Sequence, residues 1–231
     1  MPMIDTSFDY RTDSSGKDPD SHSKRLFADH RRLYSKKALP NGKELILDAD
    51  LRNCSDAGDF VFGNDCIIHS FSGWKRYQGV IGQVPKEVWQ GIKDIGYTIG
   101  GEIIFPVGKD KGIQSINQKR GTLRTIDDRF DITLECIRRY YKGEWSPLSD
   151  TFNNFKDFFS LFVDFKGYVD FFYLKDLVTD SYDAVRFWFP FDGRFEGEPL
   201  PPTPEDYKKY AENVIRFVKC RNERIATITE L

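Results

Sequence analysis

The stretch DFVFGNDCIIHSF, residues 59–71, clusters aromatic and β-branched residues around a Gly-Asn-Asp break. Such runs read as strand, and Gly63, Asn64 and Asp65 read as a hairpin turn between two of them. KELILD, residues 43–48, reads as a strand just upstream. GYTIGGEIIFP, residues 96–106, reads as another downstream, where Gly100 and Gly101 signal a bulge or a close backbone approach. AVRFWFPF, residues 184–191, alternates strongly and reads as a further strand. These strands cluster instead of alternating regularly with helices. That arrangement predicts an α+β fold, a mostly antiparallel sheet packed with several helices in a single domain.

The predicted helices frame the strands. KRLFADHRRLYSKK places Leu26, Phe27, His30, Leu33 and Tyr34 at helical spacing, and LPNG at 39–42 stops it. VPKEVWQGIKDIG reads as a short helix with Pro85 in its first turn and Gly96 at its end. In FNNFKDFFSLFVDF, Phe155, Phe158, Phe159 and Phe162 recur at i, i+3, i+4 and i+7, a heavy apolar helix face. GYVDFFYLKDLV fits strand or helix equally. The clearest helix follows Thr203 and Pro204, with Tyr207, Tyr210, Val214, Phe217 and Val218 on one face. Residues 1–23, rich in Asp, Ser and Gly, read as a flexible N-terminal arm, leaving 24–231 as the domain.

Composition narrows the function classes. The chain has 231 residues, 39% hydrophobic and 15% aromatic, enough to bury a core without staples. The net charge of −2 disfavours nucleic acid and anionic membranes as global partners. Cys54, Cys66, Cys136 and Cys220 form no CxxC pair, and His22, His30 and His69 complete no metal pattern. Cys54 and Cys66 are close enough in sequence to meet across a hairpin, but reduced thiols suit the chain better. The polar opening segment carries no apolar leader, and no apolar run approaches the ~20 residues of a membrane span. The expectation is a cytoplasmic protein.

One segment concentrates charge: SINQKRGTLRTIDDRFDITLECIRRYY, residues 115–141. With Phe130 at zero on a helix of about 100° per residue, Leu134, Ile137 and Tyr141 fall within about 40° and mark the core face. Asp128, Asp131, Glu135 and Arg138 share a stripe between about 80° and 160°. Arg129 lies at about 260°, on the flank of Cys136 and Tyr140. An arginine there needs a carboxylate or a ligand, because an unpaired buried charge is costly. The acidic stripe has two readings. It is a helix start with ordinary surface pairs, or it lines a cleft where Asp128, Asp131 and Glu135 act as general acids or hold a hard cation. Ahead of it, Lys109, Lys111, Lys119, Arg120 and Arg124 face only Asp110, and Gly108, Gly112 and Gly121 loosen the backbone. That loop is either solvated or a phosphate cradle built from Asn117, Lys119 and Arg120. It matches neither nucleotide-binding glycine motif. His30, beside two arginines, is expected at the surface, and His69 as an edge or core histidine. No nucleophile elbow is present.

DPDSHSKRLFADHRRLYSKKALPNG, GYTIGGEIIFP, SINQKRG, DDRFDITLECIRRYY, SPLSDTF, DFFSLFVDFKGYVDFFYLKDLV and KCRNERI together resemble a bacterial family known only as a domain of unknown function. The resemblance runs from about residue 18 to about 225 and implies a single full-length domain, with no activity, cofactor or catalytic residue attached. The residues themselves suggest a protein that binds a phosphate-bearing small molecule or nucleotide. Asn117, Lys119, Arg120 and Arg129 would serve the ligand, and Asp128, Asp131 and Glu135 the chemistry. The competing expectation is a protein-interaction module without catalysis, in phage–host conflict or regulation.

Overall fold

A computed structural model describes residues 4–108 and 113–229 of the chain. Its helices are α1 (Pro19–His22), α2 (Lys24–Tyr34), α3 (Gln78–Ile81), α4 (Lys86–Gly96), α5 (Ile116–Thr122), α6 (Phe130–Tyr141), α7 (Ser149–Asn154), α8 (Lys156–Ser160), α9 (Phe165–Phe171) and α10 (Pro204–Thr229). Two strands, β1 (Phe62–Cys66) and β2 (Glu102–Pro106), pair antiparallel from Phe62 opposite Pro106 to Cys66 opposite Glu102. The fold is α+β, with a far smaller sheet than the sequence suggests.

The missing strands have physical explanations. Gly63, Asn64 and Asp65 make no turn; β1 runs straight through them. Their polar side chains have partners on other elements. Asn64 donates to the Asp20 carbonyl at 2.9 Å and meets His30 Nδ1 at 2.6 Å, while Asp65 pairs with Arg120 at 2.8 Å. KELILD contributes isolated bridges, such as Leu47 with Asn53, and no strand. Residues 184–191 alternate as a strand would, but side chains take up their backbone groups. Trp188 N–H donates to Asp131 Oδ2 at 2.8 Å, and the Phe189 carbonyl accepts from Arg129 Nη2 at 2.6 Å.

The Phe-rich run is split. α7 ends at Asn154, α8 ends at Ser160, and Val163 turns the chain with a φ of 67°. Asp164 then caps α9, its side chain accepting from Gly167 N–H at 2.7 Å. GYVDFFYLKDLV is therefore helical over its first part. Phe158, Phe159, Phe162, Tyr168 and Phe172 still meet in one cluster, with Tyr168 and Phe172 ring centroids 4.7 Å apart.

The N-terminal segment is docked, contrary to a free arm. Tyr10 is fully buried and donates to Asp29 at 3.1 Å. Ser23 donates to Asp13 at 2.5 Å, so polar residues that read as disorder are caps and tethers. His30 is fully buried too, stacked on Tyr34 with centroids 5.7 Å apart. The two glycines before β2 do mark a close approach. A Cβ at Gly101 would lie 2.0 Å from the Gly96 carbonyl oxygen, and one at Gly100 would lie 2.6 Å from the Val218 carbonyl oxygen. Gly101→Ala is expected to cost about 1–3 kcal/mol in chemical denaturation, the scale of forced overpacking. An unchanged midpoint would contradict this contact.

Candidate functional site

The charged segment folds into three separate ion-paired sites. Arg120, on α5 behind the Ser115 cap, is 1% exposed. It pairs with Asp65 at 2.8 Å and Asp128 at 2.9 Å, and donates to the Asp128 carbonyl at 3.0 Å. Burial alone would lower its pKa, but Asp128 and Asp65 raise it. Arg129 and Asp131 form a second site, both fully buried and joined at 3.1 and 2.5 Å. Glu135 forms the third. Burial raises its pKa, but hydrogen bonds from Arg138 and Arg139, at 2.7 and 2.8 Å, hold it below the usual glutamate value.

Arg120, Asp128, Arg129, Asp131 and Glu135 thus each have an ion-pair partner inside the protein, in three separate places. Asp127 and Asp128 do not begin the helix. They sit in the left-handed region with φ of 50° and 60°, and Arg129 takes the cap position of α6. Arg76 holds Asp127 at 2.5 Å, which anchors this strained pair from another element. Asn117 and Lys119 are half-buried on α5, and neither side chain has a hydrogen bond or ion pair among the described residues. Lys109, Asp110, Lys111 and Gly112 lie outside the described residues. The loop's described ends, Val107, Gly108 and Ile113, border a cleft of about 490 Å³ whose other walls include Lys43, Asp56 and Asp157.

A different cleft, about 300 Å³, lies between α10 and residues 176–188. From α10 come Asn213, Arg216, Phe217 and Cys220, spaced i, i+3, i+4 and i+7. Asp176, Leu177, Arg186, Phe187 and Trp188 form the opposite wall. Asn213 donates to the Trp188 carbonyl at 2.8 Å and accepts from Arg216 at 2.7 Å, which fixes its amide. The Asp176 carboxylate is taken by Arg224, at 3.2 and 2.8 Å. Among the described residues the Arg186 guanidinium reaches only Asp180, at 3.7 Å, and Asp180 is almost fully exposed. The Trp188 indole N–H is buried and meets no acceptor among the described residues. Two guanidinium groups thus line this cleft with most of their donors unspent.

A family model matches residues 4–225, and its description is a family of unknown function, DUF6994. The chain belongs to the DUF6994 family. No curated protein and no solved structure matches it. Within this DUF6994 chain, no helix among the described residues is long and apolar enough to cross a membrane. No group of three or more His, Cys, Asp or Glu among them is placed to hold a metal ion. The α10 cleft was missed because its residues come from two distant segments. Its one sequence signal was the stripe Asn213, Arg216 and Cys220, flanking the apolar face of the last helix.

Proposed function

We propose that this protein binds a small anionic molecule, phosphate-bearing in the first instance, in the cleft between α10 and residues 176–188. The observation that supports the reading is the pair Arg186 and Arg216. Both arginines line the same cleft, and among the described residues the one carboxylate paired with either is Asp180, 3.7 Å from Arg186 and almost fully exposed. Guanidinium forks match phosphate and carboxylate oxygens in pairs. Phe187 and Trp188 add apolar wall for the uncharged part of such a ligand, and about 300 Å³ suits a compact one. The reading keeps the ligand class expected from the sequence and moves it to other residues, since Arg120 and Arg129 are consumed by Asp65, Asp128 and Asp131.

The test is calorimetric titration with inorganic phosphate and a set of mononucleotides. Arg216→Ala is expected to weaken binding by about 1.5–3 kcal/mol, the scale of a hydrogen bond to a charged group, while the melting temperature barely moves. Arg120→Ala is expected to do the reverse, lowering stability. Equal binding by the wild type and an Arg186→Ala, Arg216→Ala double variant would remove the proposal.

A second reading rests on a groove of about 550 Å³ on the outer face of α1 and α2. Phe27, Ala28 and Ala49 line it, rimmed by His22, Lys24 and Arg31 against Asp50 alone. An acidic, apolar segment of a partner protein would complement that rim, which corresponds to the interaction-module expectation.

A further inference from the structure

At the edge of the β1–β2 sheet lies a buried polar site that the anion cleft does not use. Glu102 opens β2 opposite Cys66, and its side chain is fully buried. No N–H or O–H group among the described residues donates to either of its carboxyl oxygens, nor to Asp20 Oδ1. The other oxygen of Asp20 accepts only the Cys66 backbone N–H, at 3.3 Å. Asp20 and Glu102 come together at Cys66, where each carboxyl acts on the other's protonation. Two ionised carboxylates cannot meet this way, because both would offer only lone pairs. Like charges enclosed at contact also oppose each other's ionisation.

We propose that Asp20 and Glu102 share a single proton, that this proton fastens α1 and the N-terminal segment to the β1–β2 sheet, and that its loss releases them.

The surroundings are consistent with this. The α1 cap residue Asp18 lies beside Asp20, and β1 contributes Asp65 and Cys66. Tyr10 and Tyr97 also lie within the field of Glu102. Two cations are near. Arg120 is committed to Asp65 and Asp128, and Arg221 of α10 donates at 2.7 Å to the main-chain carbonyl of Glu102. His30, from α2, is kept neutral by burial, its pKa pushed down to about 4, so it supplies no charge. Burial and Asp18 push Asp20 up to about 6; burial and Asp20 push Glu102 well above the usual glutamate value. The pair titrates as a unit and loses its shared proton above the ordinary carboxylate range. Both folded values are raised. The stabilisation is therefore complete below the unfolded carboxylate values of about 4 and is lost as pH rises through the folded ones.

The experiment follows backbone hydrogen exchange in the intact chain, as protection factors for residues 18–22 and the Cys66 amide, together with the Glu102 carboxyl carbon resonance. In the wild type, protection at these amides is expected to fall at least about tenfold as pH is raised from about 4 through the Glu102 transition, one pKa unit of linkage. The Glu102 resonance should titrate in the same range. Glu102→Gln keeps a neutral donor at every pH, so its protection should stay flat. Asp20→Asn makes the same prediction if the Gln variant does not fold. Titration of Asp65 persists in both variants and affects the global melt, so the local amides decide. A Glu102 resonance titrating near the ordinary glutamate value, or a Gln variant that loses protection like the wild type, overturns the proposal.

Discussion

Replacing Arg129 with alanine is expected to lower the unfolding free energy by about 3–5 kcal/mol, the cost of breaking a fully buried pair from one side. The side chain sits where three segments meet. It holds Asp131 on α6 with two nitrogens, and donates to the Phe189 carbonyl at 2.6 Å and the Pro199 carbonyl at 2.5 Å. Without it, Asp131 keeps only the Trp188 N–H as a donor among the described residues, and two part-buried carbonyls lose this donor. A domain of ordinary stability, about 5–15 kcal/mol, would be left close to its threshold. Urea denaturation of Arg129→Ala and Asp131→Asn measures the effect. A loss below about 1 kcal/mol in the alanine variant would show that this junction is not what holds residues 186–200 in place.

A chain ending at residue 204 is expected to lose its cooperative melt altogether. α10 buries Tyr207, Tyr210, Val214, Phe217, Val218 and Ile225. At about 1.5–3 kcal/mol for each large apolar side chain, their loss exceeds the net stability of most domains. The same helix carries Arg221, fully buried, whose donors satisfy the carbonyls of Phe172, Ile99, Gly100 and Glu102 and the Tyr34 hydroxyl. Removing it takes those donors, as well as packing, from the turn before β2. Calorimetry and near-ultraviolet circular dichroism of the truncated chain provide the measurement. A sharp transition near the full-length temperature would make α10 an appendage.

Periodicity alone located the elements whose geometry is local. α2, α4, α6 and α10 lie where their apolar residues recur at helical spacing, and the buried face of α10 is the one its tyrosines and valines mark. Arg129 was legible too. A cation on an apolar flank must be paired, and the rule follows from solvation, whichever partner the fold supplies.

What the sequence could not decide is where polar groups go, because that depends on residues far apart in the chain. Gly63, Asn64 and Asp65 look like a turn until Asp20, His30 and Arg120 arrive to receive their side chains. Residues 184–191 look like a strand until Arg129 and Asp131 take their backbone groups in place of a neighbouring strand. The charges at 120–135 read as one binding face on a helical wheel. In the folded chain they separate into three sites, since desolvation favours each charge only where a partner already waits. The cleft with spare donors sits instead against α10, where Arg186 and Arg216, 30 residues apart in the sequence, face the same space. Local pattern determines which face of an element is buried; only the packed structure determines which charges are left over.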